Sequence, residues 1–592
     1  MNTAGDELSK PWLKNYPAGV PQQIDISRYN SLLDLFSESF ARFSQRKAYQ
    51  YFGKSLTFGE LDLASEDFAA YLQSLGFERG ARVAIMLPNV LQYPLAMLGI
   101  LRAGFVVVNI NPLYTARELE YQLRDSGASA LIILENFAHV YQSIKAQVQI
   151  KEVIVTSIGE QIGIKGMVID FVLRHIKKVV PAWHLEGSIA FKTALHIGAK
   201  QQLQAVQILP TDIAFLQYTG GTTGVSKGAV LSHQNILANV MQVDVWLEPA
   251  LTLKTPAGAK VGKGDQLVFL CALPLYHIFA LTACALVGIQ RGALNILVPN
   301  PKDIPSFIQL LAKNPSIHLF PAVNTLLAAL LRHPNFVKLK FPNLLVTIGG
   351  GMAVQKTIAD QWQRLTGVPV AEGYGLSETA PVVCVNTPLI NEFTGHIGLP
   401  LPSTEVKIIG EDELPVAVGE PGEICIRGPQ VMTGYWNRPQ DTRDVMTADG
   451  FFKSGDIGTM NADGYVKIID RKKDMIIVSG FKVYPNEIEE LLMQVDGVME
   501  CAVIGVPDEE TGEAVKLFVV RDSTAKVTEN LPVELKENLK GNLKENLTEE
   551  SIQNFCKTQL TNYKRPKYIV FKESLPKTNL GKILRRELRE SI

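Results

Sequence analysis

A short stretch rich in glycine and hydroxyl side chains is well suited to binding phosphate. It reads Tyr218-Thr-Gly-Gly-Thr-Thr-Gly-Val-Ser-Lys-Gly228 and follows a strand-like run at residues 213–217. Glycine has no Cβ atom, so backbone N–H groups can turn inward on a phosphate, while hydroxyls and an ammonium add donors and positive charge. The candidate phosphate-binding residues of this Gly/Thr loop are Thr219, Gly220, Gly221, Thr222, Thr223, Gly224 and Lys227.

The Gly/Thr loop differs from the Walker A loop of P-loop NTPases. A Walker A loop ends in Gly-Lys-Ser or Gly-Lys-Thr, whereas Lys227 stands between Ser226 and Gly228. The spacing therefore argues against a P-loop NTPase. Composition alone also allows an ordinary surface loop, and only the residues farther along the chain favour phosphate binding.

Three further stretches carry side chains that could act beside such a loop. The motif Glu372-Gly-Tyr-Gly-Leu-Ser-Glu-Thr379 offers an aromatic face, a hydroxyl and a carboxylate, which suit stacking, phosphate contact and metal binding. The turn Gly349-Gly-Gly351 would let a flat ring approach the backbone, although tight turns use glycine for other reasons too. His277 is expected at a strand end, with an ordinary core histidine as the alternative.

The elements around these residues alternate between strand and helix. Strands and helices are predicted in turn at residues 82–89, 95–102, 105–109, 118–125 and 130–134. Such alternation predicts an α/β fold, in which a large N-terminal domain of mostly parallel sheets is flanked by helices. Short strands broken by glycines at residues 419–456 predict a β-rich subdomain that closes this domain.

A small α+β domain is predicted at the C-terminal end. The charge cluster Asp470-Arg-Lys-Lys-Asp474 lies between two apolar strands, where a compact linker is expected, and a helix is predicted from Pro485. The predicted domains are therefore residues 1–472 and residues 473–592.

The second domain contains a low-complexity insertion at about residues 525–550. The octads 529–536 and 537–544 and a shortened unit at 545–550 each begin Glu-Asn-Leu. Leucines at every fourth position would drift around a helix by about 40° per step, and Pro532 and Gly541 interrupt the repeat. We predict a mobile surface insertion, with a partner-binding helix as the alternative.

Composition narrows the class of protein. A length of 592 residues, 46% of them hydrophobic, fits a large globular protein with at least two domains. Because 58 basic residues balance 59 acidic ones, the net charge does not favour a nucleic-acid partner. The six cysteines lie far apart, and the acidic N-terminus does not resemble a secretory signal. A cytoplasmic location is expected.

Two segments raise the question of a membrane. Residues 268–289 carry no charged side chain, but Pro274 splits the run, so a buried strand in the core is predicted rather than a membrane span. Residues 164–183 are typical either of a helix that docks on a membrane surface or of a helix with a solvated basic face. Their basic residues are Lys165, Arg174, His175, Lys177 and Lys178.

Six motifs follow one another along the chain. After the Gly/Thr loop come Leu273-Pro-Leu-Tyr-His277, Glu372-Gly-Tyr-Gly-Leu-Ser-Glu378, Ser454-Gly-Asp456, Asp470-Arg471 and Pro576-Lys-Thr-Asn-Leu-Gly-Lys582. In this order, the motifs resemble those of the acyl-adenylate-forming superfamily, and most closely the bacterial long-chain fatty acyl-CoA ligases. The resemblance covers nearly the whole chain apart from the octads.

The resemblance implies a two-step reaction. A medium to long fatty acid, ATP and Mg²⁺ bind between the large domain and a mobile C-terminal lid, and the carboxylate attacks the α-phosphorus to give acyl-AMP and pyrophosphate. The lid then turns, and the thiol of coenzyme A displaces AMP to form a thioester. The alternatives are adenylation of another acid, loading of a carrier protein, a membrane uptake protein, and a nucleotide-binding regulator without chemistry.

The resemblance also implies a role for each candidate residue. Lys582 is the catalytic ammonium, His277 orients the substrate carboxylate, and Lys473 is the hinge of the lid. Thr219 and Glu378 hold the metal, and the Gly/Thr loop holds the β- and γ-phosphates. The remaining nucleotide-binding residues are Gly350, Gly351, Gly373, Tyr374 and Gly375 around the adenine, Ser377 at the α-phosphate, and Asp456 and Arg471 at the ribose.

Two positions depart from the family pattern. Some long-chain ligases have His-Thr-Gly-Asp before the ribose-binding aspartate, whereas this chain has Lys453-Ser-Gly-Asp456. Some members gate the acyl tunnel with a tryptophan just after the histidine, and residues 278–282 include none. The missing tryptophan argues against gating of that kind. A homodimer and peripheral contact with the inner face of a membrane are further expectations.

Overall fold

A computed structural model describes residues 10–219, 226–262, 264–521, 547–578 and 581–590. The chain packs as two compact units. The first unit comprises residues 1–406, 426–452 and 463–465, and the second comprises residues 407–425, 453–462 and 466–592. The predictions for Gly220, Gly221, Thr222, Thr223 and Gly224, and for the octads up to residue 546, lie outside the described residues.

The first unit contains an eight-stranded sheet that carries the Gly/Thr loop. Its strands are, in spatial order, Gly434–Tyr435, Gly228–Ser232, Ile213–Tyr218, Val106–Asn109, Arg82–Met86, Ala130–Leu134, Glu152–Thr156 and Ile189–Ala190. The first two strands pair antiparallel with their neighbours, and the other pairings are parallel.

A nine-stranded sheet in the same unit carries the other first-unit candidates. Its strands are, in spatial order, Leu399–Pro400, Val382–Val385, Val370–Gly375, Val346–Gly349, Leu319–Ala322, Val268–Cys271, Leu294–Leu297, Lys47–Tyr51 and Lys54–Thr57. The pairings from Val370–Gly375 through Lys47–Tyr51 are parallel. The carboxyl ends of these strands therefore meet at one edge, where α/β proteins bind ligands.

Helices cover the sheets because the central strands are apolar on both faces. In the eight-stranded sheet, Ala84 and Met86 pack with Leu119 and Leu123 from a covering helix. Val83 and Ile85 alternate with them and face the opposite side. The α-helices of the first unit are Leu32–Phe43, Phe58–Ser74, Gln92–Arg102, Ala116–Ser126, Ala138–Ile144, Ile164–Phe171, Phe191–Gly198, His233–Leu247, Ile278–Ala280, Val287–Arg291, Ile304–Lys313, Asn324–Leu331, Lys356–Thr366 and Pro439–Asp444.

Shorter helical turns lie between these helices. The 3₁₀ turns of the first unit are Pro11–Asn15, Ile26–Arg28, Glu135–Phe137, Lys145–Gln147, Glu248–Thr252 and Ser377–Thr379, and the π-helical segments are Val172–Ile176 and Leu281–Leu286.

The second unit is rich in antiparallel strands. It contains most of a four-stranded sheet with the order Glu405–Ile409, Gly422–Arg427, Phe452–Met460 and Val466–Arg471. A five-stranded sheet has the order Phe481–Val483, Ile476–Val478, Gly512–Arg521 and Val498–Asp508, with Tyr568–Lys572 parallel to Gly512–Arg521. The helical segments of this unit are Pro485–Leu492, Glu549–Gln559, Asn562–Lys564 and Arg585–Glu590.

The structure confirms the predicted α/β alternation, with small shifts at the ends of elements. The helix predicted from Leu95 begins at Gln92 instead. Pro94 falls in its first turn, where a helix has no partner for the backbone N–H and tolerates the missing donor.

The apolar stretch at residues 268–289 lies in the core, as predicted. It begins with the strand Val268–Cys271 and continues through the helical segments after His277, and its long apolar side chains are almost all buried. Among the described residues, no helix combines the length and the hydrophobicity that a membrane span requires.

Candidate active site

The ends of the Gly/Thr loop are closed by hydrogen bonds between two antiparallel strands. Tyr218 is paired with Gly228, and the Thr219 N–H donates to the carbonyl of Lys227 at 3.0 Å. The Ser226 hydroxyl donates to the carbonyl of Thr219. The loop therefore leaves the sheet from a fixed hairpin base.

Lys227 lies beside that base and is paired with a carboxylate. Its Nζ atom is 2.5 Å from Oδ1 of Asp441 and 5.3 Å from the centre of the Tyr435 ring. Both the ammonium and the carboxylate are about one-third exposed. An incoming phosphate would therefore compete with Asp441 for Lys227.

A chain of amide hydrogen bonds connects the loop strand to the histidine segment. The Gln217 side chain, one residue before Tyr218, donates to the carbonyl of Tyr276 at 3.0 Å and accepts from Asn109 at 3.1 Å. Asn89 donates to the carbonyl of Leu273 at 2.9 Å. These buried amides fix the segment that ends at His277 relative to the base of the loop.

His277 caps a short helix and is neutral at physiological pH. Its Nδ1 atom accepts the N–H of Phe279 at 3.3 Å. Burial lowers the pKa of His277 to about 4, because the charged form loses its hydration. With Nδ1 acting as an acceptor, the proton of the neutral ring lies on Nε2, which can donate a hydrogen bond to a carboxylate.

The glycine turn and the aromatic motif follow adjacent strands at the same sheet edge. A Cβ atom on Gly350 would lie 3.0 Å from the Phe279 ring and 3.1 Å from the carbonyl of Gly373, so this position is closely packed. Gly351 has a φ of +75°, which favours glycine. The structure therefore brings Gly350 and Gly351 together with the histidine segment and with the strand that carries Gly373, Tyr374 and Gly375.

Glu378 is buried and held by a tyrosine. It lies in the 3₁₀ turn that also contains Ser377, directly after Tyr374 and Gly375. The Tyr435 hydroxyl donates to Oε1 of Glu378 at 2.8 Å. Burial and the adjacent Glu378 raise the pKa of Tyr435, so the hydroxyl keeps its proton.

The candidate ribose residues form an ion pair in the second unit. Asp456 and Arg471 are opposite each other on antiparallel strands, and Nε of Arg471 is 2.6 Å from Oδ1 of Asp456. The Asp456 side chain is only 3% exposed. The position expected from the motif therefore holds a buried carboxylate despite the departure at Lys453 and Ser454.

Lys582 and Lys473 lie in the same electrostatic environment as this ion pair. Burial, followed by repulsion from Arg471, lowers the pKa of Lys582 to about 8, and Asp456 partly offsets this shift. Burial also lowers the pKa of Lys473 to about 8. The structure thus brings together Asp456, Arg471, Lys473 and Lys582 within the second unit.

The sequence analysis did not predict several residues that contact the candidates. Tyr435 lies in Gly434-Tyr-Trp436, which sequence reasoning treated only as a strand break. An aromatic dipeptide after a glycine is a usable signal, whereas nothing local marks Asp441 or Gln217. Their contacts join residues 214 and 59 positions apart in the chain.

Sequence and structure comparisons agree with the resemblance inferred from the motifs. The family of AMP-binding enzymes matches residues 36–436, and the AMP-binding enzyme C-terminal domain matches residues 487–582. The chain is 49% identical over 585 residues to a long-chain-fatty-acid–CoA ligase of Escherichia coli O157:H7, with 98% of each chain covered. It is 36% identical over 588 residues to a long-chain-fatty-acid–CoA ligase of Bacillus subtilis strain 168, with 99% of this chain and 98% of the relative covered.

A solved structure shares the fold. ATP-bound MatB from Rhodopseudomonas palustris superposes with a TM-score of 0.74 at 26% sequence identity, covering 95% of this chain and 99% of that one. The likeness extends through both units. The chain therefore belongs to the family of AMP-binding enzymes.

Proposed function

We propose that the protein is an AMP-forming ligase that joins long-chain fatty acids to coenzyme A. The observation that carries the proposal is the sheet edge where a neutral histidine, a closely packed glycine turn and a buried glutamate follow parallel strands of one sheet. Full-length similarity to long-chain-fatty-acid–CoA ligases supports the choice of acid and thiol.

The residues of the first unit bind and orient the substrates. Nε2–H of His277 donates to the fatty-acid carboxylate, and because the ring is neutral it does not neutralise the nucleophile. Tyr374 stacks on the adenine beside Gly350 and Gly351, and Ser377 donates to the α-phosphate. The Gly/Thr loop, with Lys227 at its end, restrains the departing pyrophosphate.

The residues of the second unit bind the ribose and supply charge. Asp456 and Arg471 bind the ribose hydroxyls, and the Lys582 ammonium balances the negative charge that builds up when a carboxylate attacks a polyphosphate. We propose that residues 473–592 turn as a lid about Lys473 before thioester formation, as the family resemblance implies.

The residues present suit Mg²⁺. Glu378 and Thr219 offer a carboxylate and a hydroxyl, which are the hard oxygen ligands that Mg²⁺ prefers. Within the described ranges, no group of three or more His, Cys, Asp or Glu is placed to hold a metal ion. The remaining ligands would therefore be phosphate oxygens and water, and the ion would neutralise phosphate charge.

Pyrophosphate release across an acid series from acetate to oleate, with and without coenzyme A, tests this proposal. We expect release with long-chain acids and ATP, and acyl-CoA only when coenzyme A is added. A hydroxamate-trapped acyl-AMP without any thioester would instead favour an enzyme that loads a carrier protein. ATP binding without pyrophosphate release would rule out the ligase.

We also propose that the protein works in the cytoplasm in peripheral contact with the inner face of a membrane, through residues 164–179. This segment packs against the rest of the first unit through small and polar groups. Gly166 lies against the backbone of Gly159, the buried Asp170 accepts the Gly159 N–H at 2.8 Å, and Arg174 pairs with Glu135 at 2.8 Å.

The apolar side chains of the segment consequently face solvent. Their relative exposures range from 50% to 83%, and they are Ile164, Met167, Val168, Phe171, Ile176 and Val179. An exposed apolar cluster of this kind is typical of a binding surface. Lys165, Lys177 and Lys178 lie in the same segment and are exposed, which suits an anionic lipid surface.

Co-sedimentation with phosphatidylcholine vesicles, with and without phosphatidylglycerol, tests the membrane contact. We expect binding to the anionic vesicles, reduced by Met167→Gln with Phe171→Gln and by Lys177→Gln with Lys178→Gln. The exposed pair Leu63→Gln with Leu113→Gln is the control. Unchanged vesicle binding of both double variants would exclude this surface as the membrane contact. If the protein forms a homodimer without lipid and Met167→Gln with Phe171→Gln dissociates it, the surface is a subunit interface instead.

A further inference from the structure

Both ends of the Gly/Thr loop are hydrogen-bonded to one helix, Ala116–Ser126. The Tyr218 hydroxyl, at the start of the loop, donates to Oδ2 of Asp125 at 2.7 Å. The Tyr121 hydroxyl donates to the carbonyl of Ser226, at the end of the loop, at 2.9 Å. Tyr121 and Asp125 are four residues apart and therefore lie on the same face of the helix.

The segment after the strand Gly434–Tyr435 joins the two contacts into one network. Nη2 of Arg438 donates to Oδ1 of Asp125 at 2.9 Å and to the Tyr121 hydroxyl at 3.3 Å. Nε1 of Trp436 donates to the carbonyl of Asp125 at 3.1 Å, and the Trp436 N–H donates to the carbonyl of Gly228 at 2.8 Å. The two carboxylate oxygens of Asp125 are thus divided between Tyr218 and Arg438.

The Tyr218 and Asp125 side chains of the network are shielded from water, which strengthens the hydrogen bond between them, whereas the Arg438 side chain is 38% exposed. The Asp125 side chain is 11% exposed and Tyr218 is buried. Burial and the adjacent carboxylate raise the pKa of Tyr218, so its hydroxyl remains a donor. Hydrogen bonds between a carboxylate and a guanidinium or hydroxyl are stronger than neutral ones, so Asp125 is the central acceptor of the network.

We propose that Asp125 is a positioning residue for ATP-dependent adenylation. It fixes the two ends of the Gly/Thr loop, at Tyr218 and at Ser226, and so sets the position of Lys227 beside them. The inference rests on the proposed function of this loop in holding the β- and γ-phosphates. Asp125 acts through Tyr218 and Arg438, and thioester formation from acyl-AMP, which lacks those phosphates, does not depend on it.

Measurement of the two half-reactions in Asp125→Ala and Asp125→Asn tests this proposal. For Asp125→Ala we expect the KM for ATP in pyrophosphate release to rise about tenfold and kcat for adenylation to fall by a similar factor. The KM for the fatty acid and the rate of thioester formation from supplied acyl-AMP should stay within about twofold, because neither uses the loop. The KM for ATP and kcat of Asp125→Asn should lie between those of the wild type and Asp125→Ala. The amide oxygen of the asparagine still accepts from Tyr218, but it carries no charge for Arg438.

A matched variant separates positioning from stability. Tyr71 donates to Glu152 at 2.9 Å in the same unit, so Tyr71→Phe removes a comparable tyrosine–carboxylate bond away from the loop. We expect Tyr71→Phe to keep the wild-type KM for ATP, whereas Tyr218→Phe, which loses only a hydroxyl, should raise it. Tyr218→Phe also serves if Asp125→Ala does not fold.

The possible outcomes distinguish this inference from the function on which it rests. A wild-type protein that forms no acyl-AMP would refute both. If the wild type is active, the Asp125 and Tyr218 variants could have lower melting temperatures and a smaller fraction of active enzyme but an unchanged KM for ATP. That result would refute only the positioning role. A rate loss of equal size in both half-reactions would refute it as well.

Discussion

The candidate sites in the two units differ in how closely their cations are paired with carboxylates. In the first unit the cations near the Gly/Thr loop are paired, Lys227 with Asp441 and Arg438 with Asp125, and His277 is neutral. In the second unit Arg471 is also paired, with Asp456, but Lys473 and Lys582 are buried beside other cations, with Asp456 and Asp474 as partly offsetting carboxylates.

This difference suggests that one unit mainly orients the substrates and the other mainly supplies positive charge. Paired groups and buried hydrogen bonds hold the first unit's residues in place, which suits binding and orientation. Crowded lysines whose pKa values are lowered to about 8 gain more from a new anion than fully hydrated lysines would. We infer that the first unit fixes the substrates and that the second supplies positive charge to the transition state.

The substitution Lys582→Ala should have the largest effect. We expect adenylation to slow by roughly a hundredfold or more, because the developing negative charge loses its counter-charge. Thioester formation from supplied acyl-AMP should change much less. Pyrophosphate release and acyl-AMP consumption, measured separately, check the split, and an equal loss in both steps would contradict the assigned role.

Replacement of His277 by alanine should have the next largest effect. The fatty-acid carboxylate loses a donor, which should slow adenylation by about 30-fold, as expected for a hydrogen bond to a charged group. Because the pKa of His277 is about 4, the wild-type rate should show no histidine step between pH 6 and pH 7.5. A rate that rises through that range only when His277 is present would mean that the ring titrates as a base.

The pH profile of adenylation should show a smaller loss on the alkaline side. Lys582 is an ammonium below its pKa of about 8 and loses its proton as the pH rises through that value. We therefore expect kcat/KM for ATP to fall above pH 8, approaching about tenfold per pH unit. Lys582→Arg is the control, because a guanidinium stays charged and should remove this decline. A decline that persists in Lys582→Arg would belong to another group.

Deletion of residues 529–544 should have the smallest effect. The octads lie outside the motifs that carry the resemblance, so we expect both half-reactions to keep their wild-type rates within about twofold. Steady-state assays of the shortened chain check this, and a version in which a Gly/Ser linker replaces the octads controls for the change in length. A dead enzyme would show that the insertion takes part in the reaction.

Sequence patterns predicted much of the architecture because they depend on local periodicity. The strand at residues 130–134 lies where its apolar run predicted it, since a buried parallel strand needs no partner information to be recognised. The apolar stretch at residues 268–289 could also be assigned to the core, because Pro274 rules out one continuous helix. The helix that ends at Arg102 begins three residues before its predicted start at Leu95, because Pro94 resembles a helix boundary in the sequence but is tolerated in the first turn.

The types of the candidate site residues were determined by the sequence, but their surroundings were decided by the tertiary structure. Motif order suggested Glu378, His277 and Lys582 as candidates, since their residue types and local neighbours are enough to suggest the chemistry. The partners that hold or tune them come from distant positions: Tyr435 is 57 residues from Glu378, and Arg471 is 111 residues from Lys582 along the chain.

The charge states also required the fold. A sequence assigns a histidine or a lysine its ordinary pKa, and only burial and neighbouring charges lower those of His277 and Lys582 to about 4 and about 8. In the same way, Asp125 is unremarkable in the helix Ala116–Ser126 until the strand ending at Tyr218 and the segment containing Arg438 meet its carboxylate. Residue chemistry is a local property of the chain, whereas desolvation and hydrogen-bond pairing arise only when distant segments pack together.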